Sequence, residues 1–339
     1  MWRSSPRLPV KEYELCTVTY GTVPASFQAP KCLEVIADEI ADSEPVAAEA
    51  IKTNFYMDDF LKSVPTLEEA CRLRCVVHGA LASAGFRLRK YVSNSRELLA
   101  TVDREGVAVT PVELLPETRV TVLGLIWEPD KDEFCVKLNL PILVDEKVTK
   151  RLILSFTARI FDPLGFLAPF VIRFKVLLQK IWAEKFEWDE IVSVENGKEF
   201  SELTSTISVL SSFSIQRPYS LKGKVIEQKL IGFCDASERA YCAVLYLKSS
   251  CDDGSSDVYM ISAKTKIAPV VKLNRAPSSE ENITIHRLEL MTATLLTELT
   301  QRVSGNLNLS LENADVFSDS QVTLLGWLAK KPEFMCVIA

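Results

Sequence analysis

The chain has 339 residues, 47% hydrophobic and 25% charged, the proportions of an ordinary globular protein rather than a disordered or fibrous one. A formal net charge of -6 excludes a uniformly basic nucleic-acid coat and leaves local patches open. Nine cysteines without paired spacing, an N-terminus (MWRSSPRLPV) lacking a signal-peptide core, and no apolar run near the ~20 residues of a bilayer span point to an intracellular, non-secreted chain with no membrane segment.

In chain order, a strand-like stretch at 16–20 precedes a helix expected near 29–40. Asn54-Phe55-Tyr56-Met57-Asp58-Asp59-Phe60-Leu61 reads as strand, turn, strand, with apolar residues burying both flanks of an acidic pair. Thr66 with Glu69 makes a capping-box pattern, opening a helix that Gly85 ends. Residues 86–92 alternate like a strand, and 120–127 with 134–138 flank a polar turn as a hairpin. Residues 150–188 are helical in period, broken by Asp162-Pro163-Leu164-Gly165. Their dense apolar residues, Trp182 and Trp188 among them, read as packing. A stretch of low periodicity runs to about 219. Strands are expected at 229–234, 241–247 and 258–263, a polar loop at 268–281, and a helix at 285–303. A strand at 314–317 and a helix from 321 follow.

The net charge hides a pattern. Arg72, Arg74, Arg87, Arg89, Lys90 and Arg96 occur with no acid among them, and residues 147–180 carry Asp162 as their single acid. Two such segments fit a phosphate-tracking groove or two helices with solvated basic faces. The acids are equally grouped. Adjacent Asp58 and Asp59 either form a solvated turn or repel each other until a cation such as magnesium neutralises them. Asp235 closes an apolar strand, Glu289 lies on a helix whose buried side is Leu288, Met291, Leu295 and Leu299, and Asp319 ends another strand. These acids either terminate strands or converge around two magnesium ions that activate water against a phosphodiester. Cys71, Cys75 and His78 fall at helical spacing without a fourth ligand and read as packing. Cys234 and Cys242 read as buried thiols.

Tyr56-Met57-Asp58-Asp59 resembles the Tyr-x-Asp-Asp signature of reverse transcriptases. Tyr20-Gly21-Thr22-Val23-Pro24-Ala25-Ser26-Phe27-Gln28 resembles the palm segment beneath the template and incoming nucleotide. The run from Gly85 to Asn94, with Val122-Leu123-Gly124, resembles the later palm motifs and primer grip. The stretch from Leu154 to Pro169, with Ile160-Phe161-Asp162-Pro163-Leu164-Gly165 at its centre, resembles the BEL/Pao class of long-terminal-repeat retrotransposon polyproteins. Cys234-Asp235-Ala236-Ser237, Arg287-Leu288-Glu289-Leu290 and Phe317-Ser318-Asp319-Ser320 resemble an RNase H domain.

The resemblance implies an α+β chain. Its parts would be a partial polymerase palm (1–140), a helical thumb or connection (141–220), and an α/β RNase H-like domain with a mixed sheet (221–339). It implies that Asp58 and Asp59, and separately Asp235, Glu289 and Asp319, hold catalytic Mg2+. Tyr56 would pack near the primer end, Gly21 and Gln28 near the template–nucleotide pair, and Lys90 would contact phosphate. The implied partners are a primer-template or RNA/DNA hybrid, with nucleoside triphosphates once a complete palm is supplied, in a cytoplasmic particle or the nucleus. The family also uses an earlier palm aspartate and a fourth RNase H carboxylate, neither found in this sequence. The chain is therefore expected to be a fragment cut at both ends, inactive as a polymerase alone. His286 stands where the family has proline, and no Asp-Thr-Gly or Asp-Ser-Gly triplet suggests a peptidase. Two readings stay open: two-metal phosphoryl transfer, and a non-catalytic nucleic-acid-binding relic or domesticated host interaction protein.

Overall fold

The computed structural model describes residues 9, 17–19, 21–102, 120–122, 125–136, 140, 147–210, 213–217, 225–269 and 283–330. Tyr20, Leu123, Gly124 and most of the expected loop at 268–281 lie outside them, and residues 17–19 form no strand. The chain divides into two compact units, one of residues 1–120 with 129–131, the other of 121–128 with 132–339.

The first unit is built on α1 (Ala25–Ile40), α2 (Pro45–Thr53), a hairpin of β1 (Phe55–Tyr56) and β2 (Asp59–Phe60), and α3 (Leu67–Ser83), followed by α4 (Arg96–Ala100). α1 begins ahead of the expected residue 29, since Pro24 at φ -79° already has helical geometry. Ala37, Ala47, Ala48 and Ala50 are small enough to bring α1 and α2 close, and Ile36, Ile51, Val77 and Leu81 fill the remaining core. α3 opens as its capping pattern predicts: the Thr66 hydroxyl accepts from the Glu69 amide at 3.2 Å. Glu68 and Glu69 sit at the positive end of the helix. It closes where the Phe86 amide donates to the Leu81 carbonyl at 2.9 Å. The strand expected at 86–92 does not form a ladder among the described residues. Its alternation has another cause: Phe86 and Leu88 pack on the helical core while Arg87 and Arg89 face solvent.

In the second unit, β3 (Val120–Val122), β4 (Leu125–Glu128) and β5 (Glu133–Cys135) precede four helices. These are α5 (Lys150–Ala158), α6 (Ala168–Ala183), α7 (Val194–Ser205) and α8 (Ile207–Leu210), and β6 (Ser214–Gln216) then returns to pair with β5. Asp132 clamps that sheet, accepting from Arg217 at 2.7 and 2.9 Å and from the Trp127 indole at 2.9 Å. The helices close on Phe156, Phe174 and Phe200, all buried, with ring centroids 5.4 to 6.2 Å apart. α7 lies where the sequence shows little periodicity; Ser193 caps it and Phe200 and Leu203 bury its single apolar edge. Trp182 and Trp188 are not simple packing residues: 52% and 39% exposed, they meet edge to face at 5.4 Å. The Lys150 ammonium lies 4.4 Å from the first ring and donates to the Phe186 carbonyl.

Three long antiparallel strands follow: β7 (Val225–Ala236), β8 (Ala240–Cys251) and β9 (Ser256–Ile267). α9 (Ile285–Leu307), β10 (Ala314–Phe317) and α10 (Gln321–Lys330) complete the described chain. The sheet order is β10-β7-β8-β9, and β10 runs parallel to β7, so the sheet is mixed. α9 covers one face, with Leu288, Leu295, Leu296 and Leu299 over Leu230, Cys234 and Leu245. Gly232 permits that contact, because a Cβ there would stand 2.7 Å from the Leu296 side chain.

The Asp162–Gly165 turn docks the helical region on the sheet. The Ala263 amide of β9 donates to the Leu164 carbonyl at 2.7 Å, and Gln179 of α6 donates to the Ala268 carbonyl at 2.6 Å. Asp162 ties the turn by accepting from the Leu167 amide at 2.8 Å, and burial pushes its carboxyl above the usual range. Gly165 has φ +80°, and a Cβ on it would overlap the Ala263 carbonyl oxygen. Both terms oppose any side chain. Gly165→Ala is expected to lower unfolding stability by more than about 1–2 kcal/mol, the cost of the left-handed conformation alone. Urea titration reads this as a fall in midpoint at unchanged slope.

Candidate active site

The end of the mixed sheet gathers the second set of acids by backbone geometry. β10 pairs with β7 in parallel up to Phe317 opposite Phe233, and Asp319 and Asp235 each follow that last pair by two residues, Asp319 beyond the end of β10. Asp235 is also the cross-strand partner of Cys242 on β8. The buried Thr292 hydroxyl of α9 donates to the Cys242 carbonyl. That bond fixes α9 against the strand end and brings Glu289, one turn earlier, to the same place. The Ser320 hydroxyl donates to Glu289 Oε2 at 2.6 Å, and His286 Nδ1 stands 3.5 Å from the same oxygen.

Beneath the acids lies Cys234. Burial pushes its thiol up to about 11, a Ser318 hydrogen bond works against the shift, and Cys242, Asp235 and Asp319 add to it. That both aspartates act on one thiol places their charges in one neighbourhood. The donor set is three carboxylates, the hard oxygen chemistry that magnesium takes. Among the described residues no three His, Cys, Asp or Glu side chains lie together as a formed metal site. The backbone therefore brings the acids to one edge, while their side chains do not close on a common point.

The first set of acids sits at the tip of the β1–β2 hairpin. Phe55 pairs with Phe60 and Tyr56 with Asp59, leaving Met57 and Asp58 as the turn. Met57 holds φ +56°, a conformation that costs a non-glycine residue about 1–2 kcal/mol. The rings of Phe55 and Phe60 pack at 5.1 Å and anchor the hairpin on the helical core. Tyr56, by contrast, is 59% exposed rather than a buried flank, and both aspartates face solvent. Gly21 has φ +78° just ahead of α1, and Gln28 is exposed on its first turn. Lys90 is exposed at φ +58°, next to Arg87 and Arg89. Tyr91 then turns inward to meet His78 at 3.0 Å.

Thr292, Ser318 and Ser320 act on the sheet-end site without having been singled out by sequence. A signal existed for Ser320: a serine three residues before Thr323, ahead of an apolar helix, is an N-cap pattern.

Residues 149–320 match the family model of the Pao retrotransposon-like RNaseH-like domain, a span that holds the Leu154–Pro169 stretch and all three sheet-end carboxylates. No curated protein matches the chain. Among solved structures, a foamy viral protease-reverse transcriptase in complex with double-stranded DNA is 16% identical with a TM-score of 0.47, covering 94% of this chain and 55% of that one. The dRH form of that protein with double-stranded DNA is 16% identical with a TM-score of 0.46, covering 91% and 48%. The chain thus spans about half the length of these foamy viral chains. Among the described residues, no helix is long and apolar enough to cross a membrane.

A buried thiol that stays protonated is a poor nucleophile. With its pKa at about 11, Cys234 is expected to resist iodoacetamide at pH 8 in the folded chain while exposed Cys75 is alkylated. Peptide mass spectrometry over a time course checks this, and equal labelling of the two would contradict the burial argument.

Proposed function

The chain belongs to the Pao retrotransposon-like RNaseH-like family, and from that premise we propose that its sheet-end carboxylates serve cleavage of the RNA strand in an RNA/DNA hybrid. The observation that carries this reading is the parallel pairing of β10 with β7, whose last pair precedes both Asp235 and Asp319 by two residues, with the Glu289 carboxylate bonded to Ser320, the neighbour of Asp319. Asp235, Glu289 and Asp319 are the residues that would hold magnesium, which when bound lowers the pKa of an attacking water and stabilises charge on the leaving oxygen. The chain's own part is to present carboxylates at fixed backbone positions. The uncharged Cys234 thiol beneath them keeps the inner side of the site poor in solvating groups.

The hairpin acids belong to the same proposal at one remove. Asp58 and Asp59 would bind metal in a polymerase palm, with Tyr56 at the primer end, Gly21 and Gln28 at the template–nucleotide pair, and Lys90 on phosphate. The ordered motif blocks support this, as does a hairpin tip that offers both carboxylates to solvent. Arg87 and Arg89, exposed along one extended segment, and Lys90 at its end would supply cations for a nucleic-acid backbone. The setting would be an intracellular retroelement particle or the nucleus.

The purified chain with Mg2+ is expected to cut the RNA strand of a hybrid, and Asp235→Asn to reduce the rate by about 100-fold or more, the scale of losing a group that stabilises developing charge. Equal cutting by that variant would sink the assignment. Hybrid binding without any cleavage would favour the non-catalytic reading instead. Binding should weaken as salt rises, and removing Arg87 or Arg89 should each lower the log–log salt slope by about 1. Salt-insensitive binding would remove the basic segment from the interface.

A further inference from the structure

We infer that the outer flank of the mixed sheet is a phosphate-contact surface for a nucleic-acid duplex. Lys264 and Lys266 of β9, with Arg159 and Arg173 of the helical region docked beside them, hold one backbone while the other lies at the sheet-end acids. The assignment rests on the nuclease reading above and adds its contact surface.

Register places the lysines. Lys264 is the cross-strand partner of Ala243, and Lys266 of Tyr241. Both partners are buried in the core beneath α9, and directly opposed residues share a sheet face. The lysines therefore stand on the helix side of the sheet, but α9 packs over β7 and β8, and both lysines are exposed. An exposed lysine on an edge strand ordinarily keeps other strands away. This edge needs no such guard: the Ala263 amide already donates to Leu164, and the Ala268 carbonyl already accepts from Gln179. Lys264 and Lys266 lie between those two contacts, and among the described residues neither is paired with a carboxylate.

The same docking brings up the second acid-poor segment, residues 147–180. Within it Arg151 is held by Asp189, Lys180 by Glu195, and Lys150 lies against the tryptophan rings. Arg159 and Arg173 are exposed and, among the described residues, unpaired; in the chain they stand on either side of the docked turn. Asp162, the single acid of the segment, accepts from the Leu167 amide within that turn. The flank thus gathers cations that no ion pair neutralises.

The spacing fits a duplex. Asp235 pairs with Cys242, and Cys242 with Thr265, which lies between the two lysines. Two strand spacings of about 4.8 Å put Thr265 roughly 10 Å from Asp235. The grooves of a B-form duplex are about 6 and 12 Å wide. A duplex with one strand at the acids therefore carries its other backbone within reach of the lysine side chains. Each contact with that backbone releases condensed counterions, whatever the base sequence.

The test reads binding apart from cleavage. A fluorescently labelled RNA/DNA hybrid is titrated with the full chain in the absence of divalent metal, and anisotropy is followed as salt is raised. Lys264→Gln and Lys266→Gln are each expected to weaken binding about 8-fold at 0.1 M salt and to lower the log–log salt slope by about 1. The loss should be equal for hybrids of unrelated sequence, because phosphates carry no sequence information. Lys198→Gln removes the same charge from the exposed side of α7 and should leave the slope unchanged. If the β9 variants behave like Lys198→Gln, or the unaltered chain binds no hybrid, the flank is not the contact surface; cleavage by the unaltered chain with Mg2+ would still uphold the nuclease reading. If the β9 variants lose affinity and slope while the unaltered chain cuts nothing, the surface stands and the nuclease reading falls.

Discussion

The close seating of α9 on the mixed sheet is the constraint from which the sheet-end geometry descends. Strands β7 and β10 are parallel neighbours, so their pairing carries the chain to the same sheet end, and Asp235 and Asp319 each follow its last pair by two residues. The third acid depends on how near the helix can lie. At Gly232 the Leu296 side chain occupies the space a Cβ would need. Any larger residue there would have to displace the ends of the Leu296 and Leu245 side chains that fill the gap between helix and sheet. The Thr292–Cys242 bond then sets where along its axis the helix stops. Apolar burial thus supplies the energy, and one missing methyl group and one hydroxyl supply the position.

The helical region preceding the sheet is part of the same solid. β9 is an edge strand, and an open edge is a template for unwanted strand pairing. The Leu164 carbonyl takes one of its amides, while Gly165 allows backbone to lie against backbone where no side chain would fit. Asp162 is held there by main-chain amides although burial disfavours its charge. A carboxylate that accepts from successive amides stiffens the turn far more than an apolar residue could. The Asp-Pro-Leu-Gly sequence, legible only as a helix break, is therefore a docking element.

Much of the fold was legible, and the failures have identifiable causes. Alternation over 229–234, 241–247 and 258–263 marks three strands but ends short of them. Towards their ends polar residues such as Glu227, Ser249 and Lys264 interrupt the apolar alternation. α7 was missed because Glu195, Asn196, Gly197 and Lys198 interrupt its apolar spacing; it rests on a cap and two buried residues. Residues 86–90 mislead in the other direction, since an extended segment lying on helices alternates as a strand does. The tryptophan pair shows a different limit. Sequence sees two large apolar rings and assigns them to a core, whereas the rings half face solvent and are occupied in sheltering the Lys150 ammonium. At the site, acids at strand ends are visible as such. The hydroxyls bonded to Glu289 and to the Cys242 carbonyl are not, because the partner of a serine or threonine is chosen by tertiary neighbours alone.

Charge is where the average misleads most. A chain of net charge -6 that brings carboxylates to one sheet end should repel a polyanion there. On the proposed reading Asp235, Glu289 and Asp319 would hold a divalent cation, whose charge would relieve their mutual repulsion and their repulsion of a phosphate. On the same reading the exposed arginines at 87 and 89, in the other compact unit, would act on the phosphate backbone by plain attraction. Acidic and basic features would then answer to the same partner by opposite means, one through a metal and one directly. A net charge, which adds them together, cancels the information that either carries.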